Sequence, residues 1–301
     1  MRVLLGRSES DGNRGGKNVI ERQWSDFELY VITASANYPG RDLIEVMEQT
    51  LIGGAGMLQL RNKTGSREEV LHEATALRKL TRAYGVPFIV NDYVDIAIQV
   101  GADGVHIGQD DMPMAEARQL LGPGKLIGVS THSLEQALKA ERDGADYIGV
   151  GPVYPTNTKP GRAAVSTSYV SEAAAHIGIP FVAIGGITLD NADLVLEAGA
   201  RRLCAVSAIV GSEDPAAACR SFLDKIARCK TKERRTVTIR LNGETRHTSA
   251  GNLEELVREL GQSHKRIVAE LNGALVSKGM WADTAIEPEA DVELIQFVGG
   301  G

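Results

Sequence analysis

Cysteine is scarce: Cys204, Cys219 and Cys229 are the three in 301 residues. They form no close pair, and no histidine stands near them at metal-binding spacing, so reduced thiols are expected rather than a disulfide framework or a zinc site. No apolar run reaches the length of a membrane span, and the opening MRVLLGRSESDGNRGGKN lacks the long apolar core of a secretory signal. A cytoplasmic protein is the expectation. Basic residues are not in excess either: 33 Lys and Arg against 39 Asp and Glu give a formal net charge of -6. That balance argues against nucleic acid or a membrane as partner while leaving room for a local basic pocket. Small molecules or proteins are the expected partners, and self-association is left open.

What is there is an apolar content of 43%, enough for a sizeable core, in a chain long enough for one large domain and one small one. Residues 1–26 are polar and Gly-rich with little to pack, and predict a loosely ordered extension. Residues 27–228 then repeat one pattern, an apolar run of four to six residues followed by a helical stretch. The strands fall at Leu29–Thr33, Met57–Arg61, Pro87–Asn91, Gly104–Ile107, Leu126–Ser130, Tyr147–Val150, Phe181–Ile184 and Leu203–Val206. Helical stretches between and after them include Arg41–Ile52, Arg67–Tyr84, Met114–Leu121, Leu134–Arg142, Ser168–His176, Asn191–Ala198 and Ala216–Arg228. Eight such units in about 200 residues predict a TIM barrel, with a doubly wound open sheet as the rival. The recurring Gly-Ala-Asp or Gly-Ala-Arg at Gly101, Gly144 and Gly199 closes each helix in a left-handed conformation before the next strand.

Residues 229–235 are a charged run that reads as a solvated linker. Residues 236–301 have a different grammar. Thr236–Leu241 alternates as a strand, Asn242-Gly243 signals a hairpin, and Glu244–Thr248 pairs back; a short helix over Asn252–Leu260 and strands at Arg266–Leu271 and Val292–Val298 follow. Strand, strand, helix, strand, strand predicts a small ubiquitin-like β-grasp domain, ending in Gly299-Gly300-Gly301.

In a TIM barrel the working residues stand at the C-terminal ends of the strands. The stretch ADYIGVGPVYPTNTKPG, residues 145–161, empties from a buried strand into a loop stiffened by Pro152 and Pro155. Its Thr156, Thr158 and Lys159 offer donors and one positive charge, and its Gly149 and Gly151 let backbone approach a ligand; an ordinary surface loop is the alternative. After the second strand, alternation sets Gln59, Arg61 and Lys63 on one side of an extended segment, an anion clamp or merely surface charge. The third and fourth strands end in Asn91-Asp92 and, through His106, in Asp110-Asp111. Asp92 with Asp111 suits Mg²⁺, which takes one or two carboxylates and keeps the rest of its sphere for water and phosphate; a helix-capping role is the alternative for either, and Asp110 is left as a helix-terminal or outer carboxylate. The fifth strand ends at Ser130, with His132 placed to orient its loop and His106 expected to pack inside, neither histidine having a convincing Ser or Asp partner. The seventh and eighth strands end at Gly186 and at Val206-Ser207, the usual phosphate cradle of this fold.

Taken in order, QLRNK, NDY, GADGVHIGQDD, GVSTHS, YIGVGPVYPTNTK, AIGGI and VSAI resemble the thiamine-phosphate synthase family over residues 28–228. The resemblance implies condensation of 4-amino-2-methyl-5-hydroxymethylpyrimidine diphosphate with 4-methyl-5-(2-phosphoethyl)thiazole to thiamine phosphate and diphosphate, with Mg²⁺ required and diphosphate leaving ahead of attack. It implies that Gln59, Arg61, Lys63, Asn91, Ser130 and Lys159 hold the pyrimidine diphosphate, with Arg61, Lys63, Ser130 and Lys159 acting on the reacting group. Asp92 and Asp111 would bind the metal, and Thr156, Thr158, Gly186, Val206 and Ser207 the thiazole phosphate. Residues 236–301 resemble the sulfur carrier of the same pathway. That resemblance implies a thiocarboxylate on Gly301, reached through Gly300, with an adenylyltransferase and a thiazole synthase as partners; the family usually ends in two glycines and this chain in three. Two other readings stay open: a phosphate-binding isomerase or regulatory barrel without diphosphate release, and an inactive barrel serving the carrier as scaffold.

Overall fold

Four-residue runs such as Leu-Tyr-Val-Ile and Phe-Ile-Val-Asn have almost no polar side to turn to water, so they are stable only in a parallel sheet covered on both faces. The computed structural model describes residues 24–156, 164–234, 236–262 and 267–296, and in it these runs form a closed parallel barrel. Its staves are β1 (Leu29–Ile32), β2 (Met57–Leu60), β3 (Phe88–Asn91), β4 (Gly104–Ile107), β5 (Leu126–Thr131), β6 (Tyr147–Val150), β7 (Phe181–Ile184) and β8 (Leu203–Cys204). Every residue of β1 to β6 is buried. The ring closes where Leu29 and Tyr30 pair with Leu203 and Cys204.

The covering helices are α1 (Leu43–Ile52), α2 (Arg67–Tyr84), α3 (Val94–Val100), α4 (Met114–Leu121), α5 (Leu134–Arg142), α6 (Ser166–His176), α7 (Ala192–Glu197), α8 (Val206–Val210) and α9 (Pro215–Arg234). Local chemistry sets their starts: Asp42 accepts from the amides of Ile44 and Glu45, and Ser66 with Glu69 forms a reciprocal capping box at α2. At the repeated Gly-Ala element, Gly101, Gly144 and Gly199 all take positive φ, 63°, 91° and 105°, as the sequence predicts.

Four local expectations change. The eighth strand stops at Cys204, and Val206 opens α8, because Val206, Ile209 and Val210 are buried as a helical face; burial overrides their β preference. Helix α3 was not foreseen: VDIAIQV is rich in β-branched residues, and its docked face of Val94, Ile96 and Ala97 holds it helical. The loose extension expected over residues 1–26 does not hold for residues 24–26. Trp24–Asp26 form a 3-10 turn, the Trp24 ring lies 6.4 Å from Tyr147, and Arg202 Nη2 donates to the Ser25 carbonyl at 2.8 Å while its guanidinium stacks 5.5 Å from the buried Phe27 ring. These contacts fix the chain against the barrel from Trp24 onward; residues 1–23 lie outside the described residues. The linker expected over 229–235 is helical through Arg234 as the end of α9, because Lys, Glu and Arg are good helix formers and the Lys230 ammonium pairs with Glu28 on the barrel.

In the second domain β9 (Val237–Leu241) and β10 (Glu244–Thr248) form the hairpin, with Asn242 and Gly243 at φ 50° and 85°. Strands β11 (Ile267–Leu271), β12 (Ala274–Val276) and β13 (Asp291–Gln296) complete a five-stranded sheet in the order β10-β9-β13-β11-β12, so β12 is one strand more than the sequence pattern indicated. Helix α10 (Leu253–Glu259) buries Leu253, Leu256 and Val257 against it. The glycine run, with Gly300 and Gly301, lies outside the described residues.

Candidate active site

The C-terminal ends of the staves open on a cavity. Its wall includes eight of the residues singled out by sequence: Gln59, Arg61, Asn91 and Ser130 from β2 to β5, and Thr156, Gly186, Val206 and Ser207 from the later loops. Thr158 and Lys159 lie outside the described residues. Lys63, Asp92 and Asp111 are not in this wall and stand together beside it.

Arg61 directly follows β2. Thr33 fixes its backbone twice, accepting from Arg61 N–H at 2.8 Å and donating to Arg61 C=O at 3.1 Å. Its guanidinium Nε is buried without a hydrogen-bond partner, and burial lowers its pKa, with the negative charge of Asp92 opposing. A half-buried cation with an unused donor is suited to an anion. Lys63 Nζ sits 2.9 Å from Asp92 Oδ2. Burial holds the Asp92 carboxyl above its ordinary pKa; the Lys63 ammonium pulls it down, and the Asp111 carboxyl, close enough to hydrogen-bond, pushes it up. Asp92 also stands at φ 65°, a conformation that non-glycine residues seldom adopt, so backbone strain is stored where the two carboxylates meet. Asp111 is steadied by the Gly108 N–H at 2.7 Å. Neither Asp110 nor Asp111 caps α4, whose N-cap is Pro113.

Beneath the cavity runs a buried hydrogen-bonded chain that the sequence did not reveal. Gln59 Nε2 donates to Tyr30 Oη at 2.7 Å, Tyr30 and Tyr147 hydroxyls are 2.9 Å apart, Tyr147 Oη is 3.2 Å from His106 Nδ1, and His106 Nε2 is 2.9 Å from Ser130 Oγ. Burial pushes both tyrosine pKa values up, against the hydrogen bond that Tyr30 receives from Gln59 and the one between the two phenols at Tyr147, so the phenols stay neutral. His106 therefore packs inside as expected but does have a serine partner; its other ring nitrogen meets a tyrosine rather than a carboxylate, so a triad is still absent from it. His132 lines the same cavity as Ser130, and its Nδ1 contacts the carbonyl of Gly151 in the loop after β6. Gly151 lines the cavity and also packs closely, since a Cβ there would lie 2.0 Å from the Ile184 carbonyl oxygen. The only advance sign of the chain was a pair of tyrosines inside apolar strands, each with a hydroxyl to satisfy.

The thiamine monophosphate synthase family model matches residues 29–209, which is all eight staves and the site between them. The chain belongs to this family. A thiamine-phosphate synthase of Shouchella clausii is 54% identical over 198 residues, covering 65% of this chain and 95% of the relative. One from Halalkalibacterium halodurans is 49% identical over 198 residues, covering 65% and 94%. Among solved structures, thiamine phosphate pyrophosphorylase from Pyrococcus furiosus superposes with a TM-score of 0.63 at 37% identity, covering 68% of this chain and 98% of that one. The ThiS family matches residues 234–301. The chain is thus a thiamine-phosphate synthase barrel followed by a ThiS domain. Among the described residues no helix is long and apolar enough to cross a membrane.

Proposed function

We propose that the synthase site takes 4-amino-2-methyl-5-hydroxymethylpyrimidine diphosphate on the β2 to β5 side and the thiazole phosphate across the mouth at Thr156, Gly186, Val206 and Ser207. The observation that supports this is the convergence of these residues on one cavity, with the unused donor of Arg61 and the Lys63–Asp92–Asp111 group at its edge. Thr158 and Lys159, in the loop after Thr156, belong to the same proposal by resemblance. The demand of the reaction is to stabilise a departing diphosphate, because the thiazole nitrogen is already nucleophilic. Arg61 and Lys63 supply charge to that group, Asn91 and Ser130 supply neutral donors, and Gln59 orients the pyrimidine. The apolar wall keeps water from the cationic pyrimidine methylene until the thiazole nitrogen captures it.

Asp92 and Asp111 fit Mg²⁺: two hard carboxylates meet, and burial with the Asp111 charge holds the Asp92 carboxyl above its ordinary pKa. Bound there, the metal would neutralise charge on the diphosphate. The test is diphosphate release by the full chain given both substrates, with and without Mg²⁺, beside Asp92→Ala. Metal-dependent release that needs both substrates and collapses in the variant is expected; release from one substrate alone, or unchanged release without Mg²⁺, overturns the reading.

For the second domain the proposal is a sulfur carrier, with Gly301 converted to a thiocarboxylate by an adenylyltransferase and the sulfur delivered to a separate thiazole synthase. Gly300 and its neighbours give a tail without side chains that can thread into a partner's site. Sulfur is not passed to the barrel. Thiamine phosphate formed from the pyrimidine diphosphate and a Gly301-thiocarboxylate chain, with no thiazole phosphate added, would contradict this.

A further inference from the structure

The buried chain beneath the cavity has a direction, and the direction follows from counting protons. Gln59 Nε2 carries two hydrogens and no lone pair to accept with, so at 2.7 Å it can only donate to Tyr30 Oη. Among the described residues Tyr30 Oη has one other hydrogen-bond neighbour, Tyr147 Oη, and its own proton must go there. Tyr147 then receives from Tyr30, and among the described residues its proton has one remaining acceptor, His106 Nδ1. A ring that accepts at Nδ1 carries its hydrogen on Nε2, which donates to Ser130 Oγ.

Ser130 is thereby supplied with a donor from below, and its own proton is free to point up into the cavity that it lines. We propose that Gln59, Tyr30, Tyr147 and His106 form a one-way relay that makes the Ser130 hydroxyl a fixed donor to the bound substrate, with Tyr30, Tyr147 and His106 as positioning residues. The proposal rests on the synthase reading of the cavity for its substrate, but not for its polarity. The reverse arrangement, with hydrogen on His106 Nδ1, leaves Tyr147 receiving from both sides and its own proton without an acceptor. Tyr147 is fully buried, so that arrangement is disfavoured by about tenfold or more.

A preset donor matters because the hydroxyl of an isolated serine rotates. Held by His106, the Ser130 proton needs no reorganisation as negative charge builds on the leaving group, which is the condition under which a neutral donor contributes most. The amide of Gln59 links the relay to binding. Its nitrogen end is committed to Tyr30, and among the described residues its carbonyl has no hydrogen-bond partner, so that end is left for an amino group on the pyrimidine.

Two measurements test this. Nitrogen-15 spectra of the full-length chain labelled at histidine, with His106 assigned by its loss in His106→Gln, are expected to show a neutral ring protonated at Nε2, and a mixture of tautomers in Tyr147→Phe. A ring protonated at Nδ1 in the unaltered protein overturns the relay whether or not the enzyme turns over. In steady-state diphosphate release, Tyr147→Phe is expected to lower kcat about tenfold, a fraction of the effect of deleting a direct donor, with KM within about twofold. In a Ser130→Ala background the same change is expected to cost nothing further, because no proton remains to be aimed. Equal losses in both backgrounds mean that Tyr147 acts only through packing, and the proposal fails. If Tyr147→Phe does not fold, the tautomer of His106 in the unaltered protein still decides, because a ring protonated at Nδ1 there defeats the relay by itself.

Discussion

The two ends of the barrel use the same residue types to opposite effect. At the floor, Asp103 just ahead of β4 accepts two hydrogen bonds from Arg78 of α2, at 2.6 and 3.0 Å, and a third from the Phe88 amide at the start of β3. Asp146, just ahead of β6, repeats the device with Arg118 of α4 and the Ile127 amide. Each of these carboxylates belongs to the Gly-Ala-Asp repeat, finishes a neighbouring stave and is neutralised by a helix arginine. At the mouth the pairing is different: Asp92 has Lys63 at 2.9 Å and Asp111 accepts from the Gly108 N–H, yet the two carboxylates crowd each other, and Asp92 sits at φ 65°. Arg61 Nε, like Arg78 Nε at the floor, is buried without a partner, but among the described residues no carboxylate pairs with the Arg61 guanidinium as Asp103 does with Arg78. Paired charge at the floor ties helices to staves, and crowded charge at the mouth is where the proposed phosphate ligands would sit.

The largest effect that would sharpen this contrast is at Arg61. Arg61→Ala is expected to lower kcat/KM for diphosphate release by about 10²–10³ while leaving thermal stability within about 0.5 kcal/mol, because the guanidinium gives the fold so little. A marked drop in Tm with modest loss of turnover would assign Arg61 to the fold instead. At the floor the reverse is expected. Asp103→Ala strands Arg78 and the Phe88 amide and should cost about 2 kcal/mol in denaturant unfolding, with kcat nearly unchanged in the folded fraction. Substantial loss of kcat with stability intact would break the comparison.

Asp92 gives a prediction of sign. Its folded pKa is raised, chiefly by burial, so the native state holds this proton more tightly than the unfolded chain. Stability from this group is therefore full below the ordinary carboxylate range and is lost as pH rises through the raised folded pKa. Asp92→Asn removes that loss, and asparagine tolerates the left-handed backbone at this position. The variant should be more stable than the parent above the window and no better below it, while Mg²⁺-dependent turnover disappears. Lower stability at neutral pH would show that the Lys63 pair outweighs burial.

How much of this was legible in the sequence depended on distance along the chain. The staves were, because four apolar residues followed by a helical stretch is a local pattern. So were the mouth residues, because Gln59, Arg61, Asn91, Ser130 and Ser207 lie within or just beyond those runs. The relay was not. Tyr30 and Tyr147 are 117 residues apart and His106 and Ser130 are 24 apart, and alternation tells that such side chains point inward without telling which of them meet. His106 therefore read as packing. Composition misled in the other direction over residues 229–234, where charge density suggested a tether and helix propensity prevailed.

That last difference carries the smallest prediction. If α9 stays docked to the barrel past residue 228, its ion pair between Lys230 and Glu28 must contribute, though modestly: the two side chains are 35% and 32% exposed, which screens the attraction. Lys230→Ala keeps helix propensity and removes only the pair, so a loss of about 0.5 kcal/mol is expected, shrinking further as salt is raised. A free tether would show no loss at any salt concentration. The same substitution in Lys139, whose partner Asp143 lies one turn away on α5 at higher exposure, should be quieter still, since that pair joins two points that the helix already holds together. A pair that ties separate elements gains from closing a long connection, and Lys230 with Glu28 closes one of about 200 residues.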